Sequence, residues 1–271
     1  MVAHADSERF QSDAEMYAAY LETPEGRLRI DLAFANLQEF LPRNTTLLRA
    51  LDLGCGTGAI AVRLARLGMQ VTLLDSSLRM LHFAERAARE ACVIEKISLK
   101  QGNADRVANL FPAGSFDVIL CHNVLEFVDK PEAVLRGAAL ALRDSSAILS
   151  VLVRNQAGEV LKGAIKSGDL TAAERDLTAE WGNEALYGGR VRLFRPETSR
   201  ALLTAAGFAV LAERGVRAIS DYLSAQISLS AEYDRILALE RKLGRRADFA
   251  AVARYTHWLA HRSGPNMKGG S

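Results

Sequence analysis

The chain has 271 residues, of which 49% are hydrophobic and 24% are charged, with a formal net charge of +2. This is the composition of an ordinary globular protein with a full core, and it excludes a disordered, collagen-like or disulfide-stapled chain. The net charge gives no whole-molecule argument for binding to nucleic acid. Residues 190–262 are rich in arginine, which solvated helix faces would explain equally well.

The termini and the cysteines favour a cytoplasmic protein. The first ten residues are polar, so we expect no signal peptide, and no apolar run approaches the ~20 residues of a membrane span. The three cysteines, Cys55, Cys92 and Cys121, lie in expected core elements without metal-ligand spacing. We therefore expect neither a metal site nor a membrane partner. Residues 263–271 predict a disordered tail, and nothing in the pattern indicates an oligomeric state.

Helical spacing of apolar residues predicts helices over residues 8–42, with a break at Pro24. Strands and helices then alternate from residue 47 to about residue 154, the pattern of a doubly wound parallel sheet. Such sheets bind ligands beyond the carboxyl ends of their strands. We predict an α/β, Rossmann-like fold, with residues 1–45 as an N-terminal helical cap and residues 46–262 as the main domain.

The first strand, over residues 47–53, leads into a glycine-rich turn. Gly54, Gly56 and Gly58 permit a tight bend that a ligand can approach closely, and an amphipathic helix follows. The next strand ends in Asp75, an acid that can accept hydrogen bonds from a ribose diol. These features predict a nucleoside-cofactor site, and by themselves they leave NAD and S-adenosylmethionine both open.

The alternation of strands and helices stops between residues 155 and 195. Two helices are predicted there, over 160–166 and 171–181, followed by an extended stretch over 188–195. This insertion follows a strand on the ligand side, a position typical of a substrate cover. Four later elements resume the core: a helix over 196–206, a strand over 208–215, a helix over 230–243 and a strand over 252–261.

Five motifs in this order resemble those of class I S-adenosylmethionine-dependent methyltransferases. Asp52, directly before the G-x-G-x-G turn, matches their first motif, and Asp75 matches their second. Residues 102–105 lie where that family places its adenine-binding turn, and residues 115–122 and 123–128 resemble its fourth strand and the helix after it. The resemblance implies S-adenosylmethionine as the cofactor. A dehydrogenase is disfavoured because no residues for hydride transfer follow.

The resemblance also implies roles at the cofactor site. Arg29 matches the arginine that binds the methionine carboxylate of the cofactor, Asp52 faces the methionine amine, and Asp75 binds the ribose. The other implied cofactor-binding residues are Gly54, Cys55, Gly56, Ser76, Asn103, Ala104 and His122. Without the resemblance, Arg29 is interpreted as a surface arginine, Asp52 and Asn103 as turn-shaping residues, and His122 as a helix cap.

A longer resemblance, from about residue 9 to residue 260, is to the bacterial tRNA 5-carboxymethoxyuridine methyltransferases, which methylate the carboxylate of a modified wobble uridine. It is carried by residues 26–29, His122 with 124–126, Asn155 with Gly158, 215–217 with 221–223, Tyr233, Glu240 and Arg254-Tyr255-x-His257. It implies that the acceptor-side catalytic residues are Arg217, Tyr222, Arg254 and His257. The alternative is a buried structural network in which Arg217 and Arg254 pair with Asp221 and Glu240.

The sequence differs from this subfamily in two places, and these differences leave a second kind of methyl acceptor as an alternative. Residues 180–187 lack the basic run of the subfamily's insertion, and Arg154 stands where the subfamily has an aromatic residue. Arg190, Arg192 and Arg195 follow and, with Arg154, are candidates to line an approach for phosphate or carboxylate. We expect a tRNA anticodon loop as partner, with a small-molecule acid as the alternative acceptor. A regulatory protein without catalysis is disfavoured because the acid–glycine–acid set is intact.

Activity should not depend on a metal ion. The His, Cys and acidic residues show no ligand spacing, and the sulfonium of the expected methyl donor already carries the charge that activates the methyl group. Exhaustive chelation should therefore leave the methylation rate unchanged. A loss of rate that an added metal restores would contradict this expectation.

Overall fold

The structure, a computed structural model, describes residues 14–184, 188–224, 227 and 229–263. The start of the first predicted helix, before Ala14, and the predicted tail after Ser263 lie outside the described residues. Among the described residues, no helix is long and apolar enough to cross a membrane.

A mixed seven-stranded sheet forms the centre of the fold. Its strands are β1 (Arg49–Leu53), β2 (Gln70–Asp75), β3 (Ile97–Gln101), β4 (Val118–His122), β5 (Ile148–Arg154), β8 (Phe208–Val216) and β9 (Tyr255–Arg262). Their order is β3-β2-β1-β4-β5-β9-β8, and β1 to β5 are parallel. Strand β9 runs antiparallel to both β5 and β8. The predicted doubly wound α/β fold is confirmed, and its strand order reverses between β1 and β4, where such sheets bind ligands.

Helices cover both faces of the sheet. They are α1 (Ala14–Glu22), α2 (Pro24–Gln38), α3 (Ala59–Arg66), α4 (Leu78–Glu90), α5 (Val107–Leu110), α6 (Pro131–Ala141), α7 (Gln156–Leu161), α8 (Leu170–Asp176), α9 (Pro196–Ala205), α10 (Tyr233–Leu243) and α11 (Ala247–Ala250). Side chains of α2, α3, α4 and α10 share one apolar cluster, and those of α5, α6 and α9 share another. In β1, Ala50 belongs to the first cluster and Leu51 and Leu53 belong to the second, because side chains alternate across a strand.

The predicted helix break at Pro24 is confirmed and sets the position of α2. Thr23 caps the helix by accepting a hydrogen bond from the backbone N–H of Gly26 at 3.1 Å, and Pro24 occupies the first turn. A Cβ at Gly26 would lie 2.1 Å from the carbonyl oxygen of Tyr20. This close approach of α1 and α2 places the buried residues Arg29 and Asn36 of α2 at the sheet.

The helix predicted over residues 123–128 is wrong. These residues form a turn, which begins at Asn123 with left-handed backbone geometry (φ of 54°). The Asn123 side chain also bridges two neighbours, accepting a hydrogen bond from Arg29 at 3.0 Å and donating one to Glu126 at 2.9 Å. The helix after β4 begins instead at Pro131, where proline fits the first turn.

The helix predicted over residues 171–181 ends at Asp176. Trp181 instead starts strand β6 (Trp181–Asn183), which pairs antiparallel with β7 (Arg190–Arg192). The Trp181 ring lies against the guanidiniums of Arg190 and Arg192, at 4.7 and 4.8 Å from its centroid. These contacts favour a two-stranded ribbon over continuation of the helix. The extended stretch predicted over 188–195 is confirmed in β7.

Candidate active site

A cavity of about 510 Å³ lies at the carboxyl ends of the central parallel strands. Helices α1 and α2, the glycine turn, the turn after β4 and the first residues of β9 form its walls. A smaller adjoining cavity lies under the glycine turn. Among the residues that the structure describes, no cluster of three or more His, Cys, Asp or Glu side chains could hold a metal ion.

The glycine turn between β1 and α3 requires glycine at its first positions. Gly54 and Gly56 have φ of 62° and 54°, in the left-handed region that side chains rarely adopt. A Cβ at Gly54 would lie 2.6 Å from Cγ2 of Val124, and one at Gly56 would lie 3.0 Å from Cε1 of Tyr17. The turn therefore brings bare backbone to the cavity wall, as a nucleoside cofactor requires.

Asp75, at the end of β2, is held by backbone groups. Its Oδ2 accepts a hydrogen bond from the N–H of Gly56 and its Oδ1 accepts one from the N–H of Ser77, both at 2.9 Å. A carboxylate has about four lone-pair sites, so two remain for a ligand. Burial raises the pKa of Asp75 to about 6, although these backbone hydrogen bonds oppose the rise. A fixed, cavity-lining carboxylate of this kind fits a ribose diol.

Asp52, at the end of β1, is buried and lines the smaller cavity. Among the described residues, none hydrogen-bonds its carboxyl group. Burial, and then the charge of Asp75, raise its pKa to about 8. A buried carboxyl without a partner is best compensated by a cation, and the ammonium group of the cofactor's methionine moiety is one.

Exchanging Asp52 for asparagine should stabilise the protein alone and weaken cofactor binding. The folded protein holds the Asp52 proton up to about pH 8, whereas the unfolded chain releases it near the ordinary carboxyl pKa of about 4. The free energy of unfolding therefore falls as pH rises from about 4 to 8. Asp52→Asn removes that loss, and we expect a gain on the order of 1–3 kcal/mol at pH 8 and none at pH 4. Thermal melting at both pH values, without ligand, and calorimetry with S-adenosylmethionine measure the two effects. Equal melting temperatures at pH 8 would contradict the assignment.

All ten predicted cofactor-binding residues lie at these two adjoining cavities. Arg29 in α2 donates hydrogen bonds to Oδ1 of Asn123 at 3.0 Å and to the hydroxyl of Tyr17 at 2.9 Å. Gly54, Gly56, Asp75, Ser76, Asn103, Ala104 and His122 line the main cavity, and Asp52 and Cys55 line the smaller one. The structure thus brings the set together, and the cofactor contact of each residue stays a prediction.

Two of the four predicted acceptor-side residues line the other end of the main cavity. Arg217 pairs with Asp221 and donates a hydrogen bond to the hydroxyl of Tyr20 at 3.0 Å. Arg254 pairs with Glu159 and lies 3.7 Å from Asp221. The pairing of both arginines with Asp221, foreseen as a structural alternative, is thus present in the cavity wall.

Glu240 does not pair with these arginines. Its carboxylate accepts hydrogen bonds from the backbone N–H groups of residues 218, 219 and 220, at 2.6, 3.1 and 2.8 Å. These bonds satisfy the turn that follows β8, immediately after Arg217. Glu240 therefore supports the position of Arg217 through the backbone.

Tyr222 and His257 lie outside the cavity wall. The Tyr222 hydroxyl donates a hydrogen bond to the carbonyl of Gly158 at 3.2 Å, which ties it to the insertion. His257 is fully buried, two residues deeper along β9 than the strand end. Its Nε2 lies 2.7 Å from the hydroxyl of Ser150, whose oxygen is also 2.7 Å from Nε2 of His122. Because it lies deeper along the strand, His257 does not line the cavity, and its described hydrogen bonds link it through Ser150 to the cavity-lining His122.

Tyr255 and Arg154 both line the acceptor end of the cavity. The sequence predicted no role for Tyr255 and gave Arg154 only as a candidate to line an approach for phosphate or carboxylate. Arg154 pairs with Glu159 at 3.1 Å and with Glu184. Tyr255 lies directly opposite Arg154 in the antiparallel β5–β9 pair. The alternation of side chains in Tyr255-x-His257 was the available signal, since it places both residues on one face of a strand.

The remaining candidate arginines lie around the insertion. Arg190 and Arg192 share the outward face of the β6–β7 ribbon with Trp181, and the backbone N–H of Arg192 donates to the carbonyl of Glu126 in the cavity wall at 3.1 Å. Arg195 hydrogen-bonds Gln156 and the carbonyl of residue 177, so its contacts are internal to the insertion. The ribbon thus borders the acceptor end of the cavity.

Comparisons with known proteins show the family and fold to which the chain is similar. Residues 26–213 match the family described as "Methyltransferase domain". The chain is 27% identical to a tRNA 5-carboxymethoxyuridine methyltransferase of Escherichia coli (strain K12) over 248 residues, 89% of this chain and 90% of that protein. A ubiquinone biosynthesis O-methyltransferase of Xanthomonas campestris pv. campestris (strain B100) is 34% identical over 114 residues, 42% of this chain and 46% of that protein. A solved S-adenosylmethionine-dependent methyltransferase from Thermotoga maritima has the same fold, with a TM-score of 0.60 and 17% identity over 94% of this chain and 98% of that one.

Proposed function

The chain belongs to the methyltransferase-domain family, and from that premise we propose that it methylates an ionised carboxylate, that of 5-carboxymethoxyuridine in a tRNA anticodon loop. It is an S-adenosylmethionine-dependent methyltransferase. The observation that carries the proposal is the acceptor end of the cavity, where the guanidiniums of Arg154, Arg217 and Arg254 are all buried and all line the wall. Buried guanidiniums in a cavity wall suit an anionic acceptor.

The chemistry of a carboxylate acceptor fits the groups present. When bound, S-adenosylmethionine supplies a methyl group activated by its positively charged sulfur. A carboxylate is ionised at neutral pH, so no group of the protein has to remove a proton from it. The protein's task is to hold the acceptor close to the donor and in line, an effect worth up to ~7–11 kcal/mol in favourable cases. Guanidiniums can orient a carboxylate through paired hydrogen bonds without accepting a proton from it.

Ion pairs hold the buried arginines in the cavity wall. Arg154 pairs with Glu159 and Glu184. Arg217 pairs with Asp221 and donates a hydrogen bond to the hydroxyl of Tyr20. These ion pairs fix the guanidiniums in place, since a buried charge requires a partner. The arginines are therefore both part of a structural network and oriented at the cavity wall.

The cavity mouth supports a nucleic-acid acceptor. Lys162 and Lys166 line the cavity from the insertion, and the neighbouring ribbon presents Trp181 between Arg190 and Arg192. Aromatic rings and guanidiniums stack on splayed-out bases, and basic side chains bind phosphates. This surface beside an anion-binding pocket suits a single-stranded loop that carries a modified base.

The second candidate is a small-molecule carboxylic acid. It is favoured by the similarity over part of the chain to the Xanthomonas campestris ubiquinone biosynthesis O-methyltransferase. The absence of Lys and Arg from residues 180–187 also favours it. The two candidates use the same arginines and differ in what lies outside the cavity, so salt dependence separates them.

Purified protein should convert carboxymethoxyuridine in unmethylated tRNA to its methyl ester, detected by mass spectrometry of the nucleosides. The rate should fall steeply as salt rises, because phosphate contacts release counterions, whereas a small acid would be nearly indifferent to salt. tRNA lacking the carboxymethoxy group is the control and should gain no methyl group. If the protein leaves carboxymethoxyuridine tRNA without a methyl group and methylates a small acid at a rate that does not depend on salt, the second candidate is the function.

A further inference from the structure

We propose that Tyr255 is a catalytic residue whose phenol hydroxyl donates a hydrogen bond to the acceptor carboxylate, at the junction of the cofactor and acceptor ends of the cavity. The inference deepens the proposed function and rests on it for the anionic nature of the acceptor. It concerns which group of the protein touches that anion.

The position of Tyr255 is set by strand pairing. It is the first residue of β9, opposite Arg154 of β5 on one side and Val216 of β8 on the other. Its side chain is almost fully buried and lines the main cavity. Because strands on both sides hold its backbone, the ring has a fixed position at the cavity edge of the sheet.

The Tyr255 ring lies between the two ends of the cavity. The guanidinium carbon of Arg29, at the cofactor end, is 5.8 Å from the ring centroid, and that of Arg254, at the acceptor end, is also 5.8 Å away. Arg29 is tied to Asn123 at 3.0 Å, and Arg254 is tied to Glu159 and Asp221. The hydroxyl group of this ring therefore lies where the methyl donor and the methyl acceptor have to meet.

The Tyr255 hydroxyl is available to a ligand. No residue that the structure describes forms a hydrogen bond with it. It is also not one of the enclosed polar atoms that lack a partner, so it is open to the cavity. Buried tyrosines usually find a partner for their hydroxyl. A bound carboxylate oxygen would be that partner.

Four arginines from different parts of the fold determine the electrostatic environment of Tyr255. Burial alone would raise the pKa of Tyr255, but the guanidiniums of Arg154, Arg29, Arg254 and Arg217 lower it to about 8. Tyr20 and Lys162 also interact electrostatically with Tyr255. Further titratable side chains that line the cavity include Tyr17, Glu126, Glu184 and Asp221. The net effect is a phenol that donates its proton in a hydrogen bond at neutral pH and ionises just above it.

Ionisation of Tyr255 should switch its role. Below about pH 8 the neutral phenol adds a donor to the arginines and favours an anionic acceptor. Above it, the phenolate competes with the acceptor for the same guanidiniums and repels it. Because a bound carboxylate stabilises the phenol form, kcat/KM, which reports the free enzyme, should fall above pH 8 while kcat falls less.

Tyr255→Phe should lower kcat/KM for the acceptor at pH 7 by roughly tenfold to a hundredfold, as expected for loss of a hydrogen bond to a charged group. It should also remove the alkaline fall of kcat/KM and leave binding of S-adenosylhomocysteine unchanged. Tyr233→Phe is the matched control, because that hydroxyl bonds Asp31 at 2.5 Å, away from the cavity lining. An unchanged kcat/KM, or an alkaline fall that persists in Tyr255→Phe, would overturn the inference.

A measurement without acceptor keeps the test independent of folding and of the proposed function. Ultraviolet titration of the wild-type protein should show one tyrosine ionising near pH 8, and this signal should be absent in Tyr255→Phe. No such signal in the wild type would overturn the inference. If wild-type protein leaves carboxymethoxyuridine tRNA unmodified, the proposed function fails, and the titration with the pH profile for a small acid still decides the role of Tyr255.

Discussion

Asp75→Ala should weaken S-adenosylmethionine binding by about 2–4 kcal/mol, roughly thirtyfold to a thousandfold, because two charge-assisted hydrogen bonds to the ribose are lost. The loss has a second source in the protein itself. The carboxylate also accepts the N–H groups of Gly56 and Ser77, so its removal leaves both unsatisfied and loosens the glycine turn. Calorimetry with the cofactor measures the affinity, and thermal melting measures the cost to the turn.

Asp75→Asn should be nearly as damaging as Asp75→Ala. An amide has one acceptor oxygen, and its NH2 group would face one of the two backbone N–H donors. Asp248→Ala is the control for loss of a carboxylate, since Asp248 is exposed and pairs with Arg246, outside the cavity lining. Unchanged affinity in a folded Asp75→Ala protein would mean that another residue holds the ribose.

The cofactor end of the site could be predicted from the sequence because its residues follow single strands. Asp75 and His122 end parallel strands and Asp52 is the last residue but one of another, and such ends meet at one edge of the sheet. Short-range spacing therefore determines which side chains meet. The glycine pattern adds the positive φ angles, which few other residues adopt.

The acceptor end could be predicted only in part because it depends on long-range pairing. Strand β9 returns antiparallel between β5 and β8, and this brings Tyr255 beside Arg154. No local pattern specifies that register. The same register places His257 two residues below the strand end, out of reach of the cavity. The resemblance identified the motif residues of β9 but not how far each lies from the cavity along the strand.

The turn at residues 123–128 shows a tertiary contact prevailing over local helix preference. Asn123 has the left-handed backbone that its side chain tolerates better than most. Its amide satisfies a guanidinium on one side and a carboxylate on the other, in Arg29 and Glu126. An amide has a carbonyl oxygen that accepts and an NH2 group that donates, so one side chain serves both partners. Because Arg29 is 94 residues away in the sequence, no local pattern indicates this contact, and the turn was missed.

Arg217→Ala should lower kcat/KM for the acceptor by roughly a hundredfold, about 2–3 kcal/mol, while sparing cofactor affinity. Arg217 lines the acceptor end, and the residues expected to hold the cofactor lie at the other end. The same change should destabilise the fold, because Asp221 would stay buried with only Arg254 at 3.7 Å as a cationic partner. Loss of one partner of a buried ion pair costs about 3–5 kcal/mol.

A paired variant separates the two effects of Arg217. Arg217→Gln with Asp221→Asn removes both charges, retains a hydrogen bond between the side chains, and should restore much of the stability lost in Arg217→Ala. It should not restore kcat/KM, because an amide lacks the charge that attracts the acceptor carboxylate. Thermal melting and steady-state kinetics on the same samples give both readouts. Recovery of kcat/KM together with stability would show that Arg217 acts only through folding, and the acceptor would then have to be held by Arg154 and Arg254.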